Sequence, residues 1–253
     1  MIYITGDCHG NWSRFSKNKF KAQKTMTRDD YVIVCGDFGI WSATESESDW
    51  LDYLNECNFT LLFVDGNHEN FDRLYSDEFN EVDFHGGRAH KIRDNIYHLM
   101  RGYVFDICDK KIFAFGGASS HDISDGILDR NDYSSKEEFY NEIFLMTTLN
   151  KMFRINHQSW WKEELPSNEE MQRGLDNLSQ CGNKVDFIIS HCCPKSVQKS
   201  ISDMYGNDIL TEYFETIKDK TEYSKWYFGH YHEDREIDSK HQVLYHKIVK
   251  IAE

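Results

Sequence analysis

The sequence predicts an α/β fold, and three features carry that expectation. Short apolar runs of four to six residues, rich in β-branched and aromatic side chains, recur along the chain, and each stops at Gly, Asp, Asn or His. Segments with helical spacing separate the early runs, as expected for parallel strands joined by crossover helices. A later pair of runs flanks a two-residue turn, which adds a hairpin and makes the sheets mixed.

In chain order, residues 2–5 form the first expected strand and end in Gly6-Asp7-Cys8-His9-Gly10. Residues 12–24 are an expected helix. Residues 31–35 form a strand ending in Gly36-Asp37. Residues 45–57 form a helix, with Trp50, Leu51, Tyr53, Leu54 and Cys57 at helical spacing. Residues 60–64 form a strand ending in Asp65-Gly66-Asn67-His68-Glu69. Residues 103–108 and 111–115 read as a hairpin about Asp109-Lys110. Residues 137–153 and 168–181 read as helices. Residues 185–190 form a strand ending in His191, and residues 225–228 one ending in Gly229-His230-Tyr231-His232. A final strand is expected at 242–246. Residues 119–166, with Trp160-Trp161, stand apart as a lid or substrate wall, or as a surface excursion whose tryptophans simply pack on the core.

Composition narrows the function. The 253 residues suit one domain, here 1–253, with the excursion inside it. At 40% apolar and 15% aromatic the chain is not disordered. Its 29 basic and 43 acidic residues give a net charge of −14, which argues against coating an extended nucleic acid. Seven cysteines make no paired C-x-x-C framework; Cys35, Cys108, Cys192 and Cys193 sit in or beside apolar runs as reduced thiols. Met1 leads straight into the first strand, and no apolar run approaches the roughly 20 residues of a membrane span. A cytoplasmic protein without a membrane partner is expected.

Five strand ends deliver Asp7, His9, Asp37, Asn67, His68, His191, His230 and His232. In open α/β sheets ligands bind beyond the carboxyl ends of strands. Oxygen and nitrogen donors without sulfur suit divalent first-row transition metals better than Mg²⁺ or Ca²⁺. Asp7 and His9 are two residues apart, as are His230 and His232, and in extended backbone such positions project to one side. A two-metal site of this kind binds phosphate across both ions and holds a bridging hydroxide for attack.

These five blocks, in this order, resemble the signature of the calcineurin-like metallophosphoesterases. The resemblance implies a four-layer α/β/β/α sandwich. It implies Asp7, His9 and His232 on one metal, Asn67, His191 and His230 on a second, and Asp37 between them. Manganese is the favoured ion, with Fe, Ni or Zn as others the donors accept. It also implies that His68 serves the leaving oxygen as general acid or charge stabiliser. The match breaks in the second block. The Ser/Thr phosphatase branch has an Asp that orients the catalytic His and an Arg that grips phosphate where this chain has Ile40 and Trp41. Gly229-His230-Tyr231-His232 looks instead like the small phosphodiesterase branch.

Replacements for those groups are sought nearby. Asp65 or Glu69 is a candidate to orient His68. Arg14, Arg73, Arg101 and His121 are candidates to meet substrate, with surface or structural roles as the alternative. Glu163-Glu164, Glu169-Glu170 and Glu233-Asp234 read as solvated faces. The expected activity is hydrolysis of a phosphomonoester or small phosphodiester, including a nucleotide. A nuclease acting on strand ends and a non-catalytic binding module are the alternatives.

Overall fold

The computed structural model describes residues 1–253. The first half of the chain runs β1 (Ile2–Thr5), β2 (Tyr31–Val34), α1 (Glu45–Asn55), β3 (Thr60–Phe63), the single turn α2 (Phe71–Leu74), β4 (Asn80–Phe84), β5 (Gly87–Arg93), β6 (Ile96–Leu99), β7 (Tyr103–Ile107) and β8 (Lys110–Phe115). The excursion holds β9 (Gly126–Leu128), α3 (Lys136–Thr148) and β10 (Phe153–Ile155). There follow α4 (Asn168–Gln180), β11 (Phe187–Ser190), α5 (Lys195–Ile201), α6 (Ile209–Lys220), β12 (Lys225–Phe228), β13 (Arg235–Glu236), β14 (His241–Val243) and β15 (Val249–Ala252).

Two mixed sheets result, ordered β15-β1-β2-β3-β6-β5-β4 and β13-β14-β12-β11-β8-β7. The central strands of each are parallel. Strand alternation fixes the layers. In β2, Tyr31 and Ile33 join Ile2, Ile4 and Leu62 against Phe105, Ile112, Ala114 and Ile189 of the other sheet. Val32 and Val34 point the opposite way and pack, with Leu61 and Phe63, on Leu51 and Leu54 of α1. Beyond the second sheet, Phe113, Ile188 and Trp226 lie under Leu178 of α4 and Phe214 and Ile217 of α6. Central strands buried on both faces need continuous apolar sequence, which is what these runs supply. The layers are therefore α/β/β/α.

Several expectations shift. Residues 12–24 form two short 3-10 turns, Trp12–Phe15 and Lys21–Lys24, not one helix. Trp12, Phe15 and Phe20 all enter the same core from these turns. The hairpin turns at Cys108-Asp109, with φ of 50° and 57°, as a type I′ turn requires. The helix of the excursion stops at Thr148, and Phe153 belongs to β10, paired in parallel with β9. The strand expected at 242–246 is β14, which ends at Val243, and the final strand is instead β15, antiparallel to β1. Helix α3 buries only Phe139 and leaves Tyr140, Phe144 and Leu145, together with its C-cap Leu149, exposed. All seven cysteines are free thiols, and no helix is long and apolar enough to cross a membrane.

Candidate metal centre

The parallel strands of both sheets end on one rim, and the eight expected residues meet there. The ligand atoms of Asp7, His9 and His232 all lie within 4.8 Å of one another, and so do those of Asp7, Asp37 and His191. His9 Nε2 is 3.0 Å from His232 Nε2, which is 3.2 Å from Asp7 Oδ2. His191 Nε2 is 3.3 Å from Asp37 Oδ2 and 3.2 Å from Asn67 Oδ1. Asp37 Oδ2 is also 3.7 Å from His9 Nδ1, so this oxygen lies between the two groups. The His230 ring packs at 5.0 Å from His191, and His230 Nε2 is 2.8 Å from His121 Nε2. His230 and His232, two residues apart, thus reach different groups. Extended backbone is not the reason: His9, Asp37, His230 and His232 have φ of 48°, 45°, 67° and 53°. Non-glycine residues hold this left-handed conformation where surrounding structure imposes it, often at functional sites.

The local sequence explains how that conformation is held. A side chain on Gly36, whose φ is +93°, would overlap the His191 ring, and one on Gly66 would overlap the Asp37 carboxylate. The Asp7 carboxylate accepts the His230 backbone N–H at 3.0 and 3.1 Å, and Asp37 Oδ1 accepts that of His68 at 2.8 Å. His191 Nδ1 is 2.8 Å from the Cys35 carbonyl, which turns Nε2 toward the centre. Asn67 is set from behind. Its Nδ2 donates to Ser120 Oγ at 3.3 Å, and Ser120 donates its O–H to Glu164 at 2.6 Å and its N–H at 2.9 Å.

The electrostatics call for a cation. Asp7 and Asp37 are buried carboxylates in direct contact with imidazoles. Burial opposes charge on His191, yet Asp37 and Asp7 outweigh it and push the imidazole up to about 10. Burial also opposes ionisation of Asp37, but His191 and its neighbours hold the carboxyl well below the usual range. Burial, with His191 and His121 alongside, drives His230 far down, into the neutral form that a ligand needs. A donor set of carboxylate, amide and imidazole fits divalent transition metals.

A family model for calcineurin-like phosphoesterases matches residues 1–234. The chain belongs to that family. This calcineurin-like phosphoesterase is a metal-dependent phosphoric ester hydrolase that takes divalent metal ions. Among solved structures it is similar to the phosphopantetheinyl hydrolase of Mycobacterium tuberculosis, at 15% identity over 96% of this chain and 89% of that one, with a TM-score of 0.43. No curated protein matches the chain.

His68 borders the centre, its ring 5.3 Å from that of His9. Burial lowers its pKa, with Asp37 pulling upward and Arg154 adding to the fall. The carboxylates considered for orienting it are engaged elsewhere. Glu69 accepts the N–H groups of Phe38, Gly39 and Ile40, and Asp65 pairs with His98 and Arg101. The arginines considered for phosphate are engaged too. Arg14 donates to Thr5 Oγ1, to the carbonyl of Gly6 and to those of Asp7 and Tyr245. Arg73 pairs with Glu47 and Glu78. Arg101 is 2% exposed and binds Asp65 and the Glu163 carbonyl. Of the four, His121 meets a candidate ligand side chain, His230, and Arg14 lines a cavity with Asp7 and His9 while its guanidinium is spent chiefly on backbone carbonyls. Glu164, expected on a solvated face, is 2% exposed. Arg154 and Trp41, which sequence reasoning did not place at the site, line a cavity beside His68. No motif marks Arg154; Trp41 was marked by standing where the related branch has Arg.

Proposed function

We propose that the chain holds two divalent first-row ions, with manganese favoured, and hydrolyses a phosphomonoester or a small phosphodiester. The observation that carries this reading is the convergence of Asp7, His9, Asp37, His191 and His232 on one rim, with Asn67 and His230 against His191 and His68 at the edge. Asp7, His9 and His232 would hold one ion and Asn67, His191 and His230 the other, with Asp37 shared between them. When bound, the ions neutralise phosphate charge and lower the pKa of water for in-line attack. The residues do the rest. Asp37 Oδ1 holds the His68 backbone, and Trp41 Nε1 donates to the His68 carbonyl at 2.5 Å, so the imidazole is placed from both sides of its own peptide. His68 then gives a hydrogen bond or proton to the oxygen that leaves phosphorus. The acidic exterior, at −14, favours a small substrate over an extended polyanion.

Turnover of an aryl phosphate by purified protein, with Mn²⁺ and after chelation, tests this. Asp37→Asn and His68→Ala should each lose about 10²-fold or more in kcat while circular dichroism stays unchanged. Undiminished turnover in metal-loaded His68→Ala would remove its assigned role.

A further inference from the structure

The cavity beside His68 has a volume of about 300 Å³ and walls that include Trp41, His68, Asn70, Arg154, Gln158 and Trp161. That volume is at the low end for small-molecule sites. Its walls are fixed before any ligand arrives. The Trp41 side chain is tied to the His68 carbonyl, its own carbonyl accepts from Asn70 Nδ2 at 2.8 Å, and the residue remains 38% exposed. Across the cavity, Trp161 Nε1 donates to Asp72 at 2.8 Å, which fastens this end of the excursion to α2. No carboxylate lines the cavity, although the chain carries 43 acidic residues. The one permanently charged side chain on its walls is Arg154. Asp122 takes Nε at 2.9 Å and Nη2 at 2.6 Å, and the Ser159 carbonyl takes Nη1 at 3.4 Å. A guanidinium has five N–H donors, so two remain for a ligand.

Position gives the cavity its meaning. On the reading proposed above, which this inference deepens, His68 faces the oxygen that leaves phosphorus. Whatever that oxygen is attached to must enter the space His68 borders. A flat exposed ring, a carboxamide and a guanidinium together are the chemistry that recognises a planar base and an anion. We propose that the leaving group is a nucleotide, its base stacked on Trp41, with Gln158 at its edge and its own phosphate on Arg154. An alkyl or simple aryl leaving group would leave this space unfilled.

Three phosphomonoesters with sugar leaving oxygens separate the contributions: ribose 5-phosphate, adenosine 5′-monophosphate and adenosine 3′,5′-bisphosphate. Release of the 5′-phosphate by the full-length, Mn²⁺-loaded protein is followed as kcat/KM. The base should raise kcat/KM about tenfold over ribose 5-phosphate through stacking. The second phosphate should raise it about tenfold again through a charge-assisted bond. Trp41→Leu should collapse the first ratio toward one and Trp41→Phe should restore much of it, while Arg154→Gln should collapse the second. Thermal melts of each variant confirm folding. Flat ratios in the wild type, with an aryl phosphate still turned over, would overturn the nucleotide proposal and leave the phosphoesterase reading standing. So would ratios that survive Trp41→Leu and Arg154→Gln. No turnover of any ester, aryl phosphate included, would overturn both.

Discussion

Replacing Glu164 with Gln is expected to weaken metal binding from one shell behind the centre. The carboxylate is 2% exposed and accepts both the N–H and the O–H of Ser120. With its single hydroxyl proton given to Glu164, Ser120 Oγ can only accept. Asn67 must therefore present its NH₂ to Ser120, and its Oδ1 is left aimed at the centre, 3.2 Å from His191 Nε2. Burial raises the pKa of Glu164, and the two Ser120 donors act against that rise. Glutamine preserves the shape but places an NH₂ where one carboxylate oxygen stood. That NH₂ donates to Ser120 Oγ, and the freed hydroxyl proton now points at Asn67. The favoured amide is then the reverse one, with its NH₂ toward the cation, where it cannot ligate. Loss of such an outer partner typically lowers metal affinity about 10- to 100-fold, roughly 1.4–2.8 kcal/mol. Calorimetric titration of Mn²⁺ into metal-free wild type, Glu164→Gln, Ser120→Ala and Ser120→Thr reads this directly. Ser120→Thr keeps the hydroxyl and should bind like wild type, and melts without metal check that all four fold. Wild-type affinity in Glu164→Gln would refute the orientation chain.

Three further outcomes follow from other parts of the molecule. Arg101→Met leaves the buried Asp65 carboxylate without its main partner and should destabilise the fold by about 3–5 kcal/mol in urea unfolding, and a loss below about 1 kcal/mol would show that His98 alone satisfies Asp65. Burial, and then His98, lower the pKa of His90 to about 4, so the folded state favours the neutral ring. Its contribution is complete above the unfolded value of about 6.5 and about 3 kcal/mol of it is gone by pH 4. The stability gap between wild type and His90→Gln should therefore narrow as pH falls from 7 to 4, and a constant gap would contradict this. Adding Mn²⁺ at about 100 times its Kd should stabilise metal-free protein by about 2.7 kcal/mol, read as a raised Tm that Asp37→Asn largely abolishes. An unmoved Tm would count against metal binding at Asp37.

What was legible in the sequence was what local pattern controls. The core strands β1, β2, β3, β11 and β12 are buried on both faces, so their runs are apolar throughout and end sharply at turn residues. β4 was not legible because its faces are largely exposed and its residues, Asn80–Phe84, carry no such run. The candidate ligands were legible because Gly-Asp and Gly-His steps mark places where one side chain enters the space another residue lacks, as at Gly36 and Gly229. The roles of Arg14, Arg73 and Arg101 were not, because an arginine's partners come from distant segments: Tyr245 for Arg14 and Glu163 for Arg101. Glu164 next to Glu163 looks like a charged surface pair until the excursion folds back and buries one of them against Ser120.

In the second block the loop after Asp37 is anchored inward at Ile40 and opens outward at Trp41. Ile40 is 1% exposed and its N–H binds the Glu69 carboxylate, so this position secures the loop after Asp37 from inside. Trp41, the next residue, turns outward and spans the His68 carbonyl. By resemblance, the Ser/Thr phosphatase branch uses these two positions for an Asp that orients the catalytic His and an Arg that grips the phosphoryl group. Here the grip on the phosphoryl end falls to whatever the candidate ligands hold, since Arg14, Arg73 and Arg101 are committed within the fold. Arg154, paired with Asp122 through Nε and Nη2 but with two N–H groups left over, comes from the excursion and lines the cavity beside His68. On the proposed reading, discrimination has moved from the phosphoryl group, which all such substrates share, to the part that leaves. An enzyme built this way should distinguish substrates by the alcohol released, through differential stabilisation in the transition state. Trp41→Arg, which restores the charge at that position, should then narrow selectivity among leaving groups while strengthening inhibition by inorganic phosphate. If selectivity and phosphate inhibition both stay at wild-type values, Trp41 does not face the substrate.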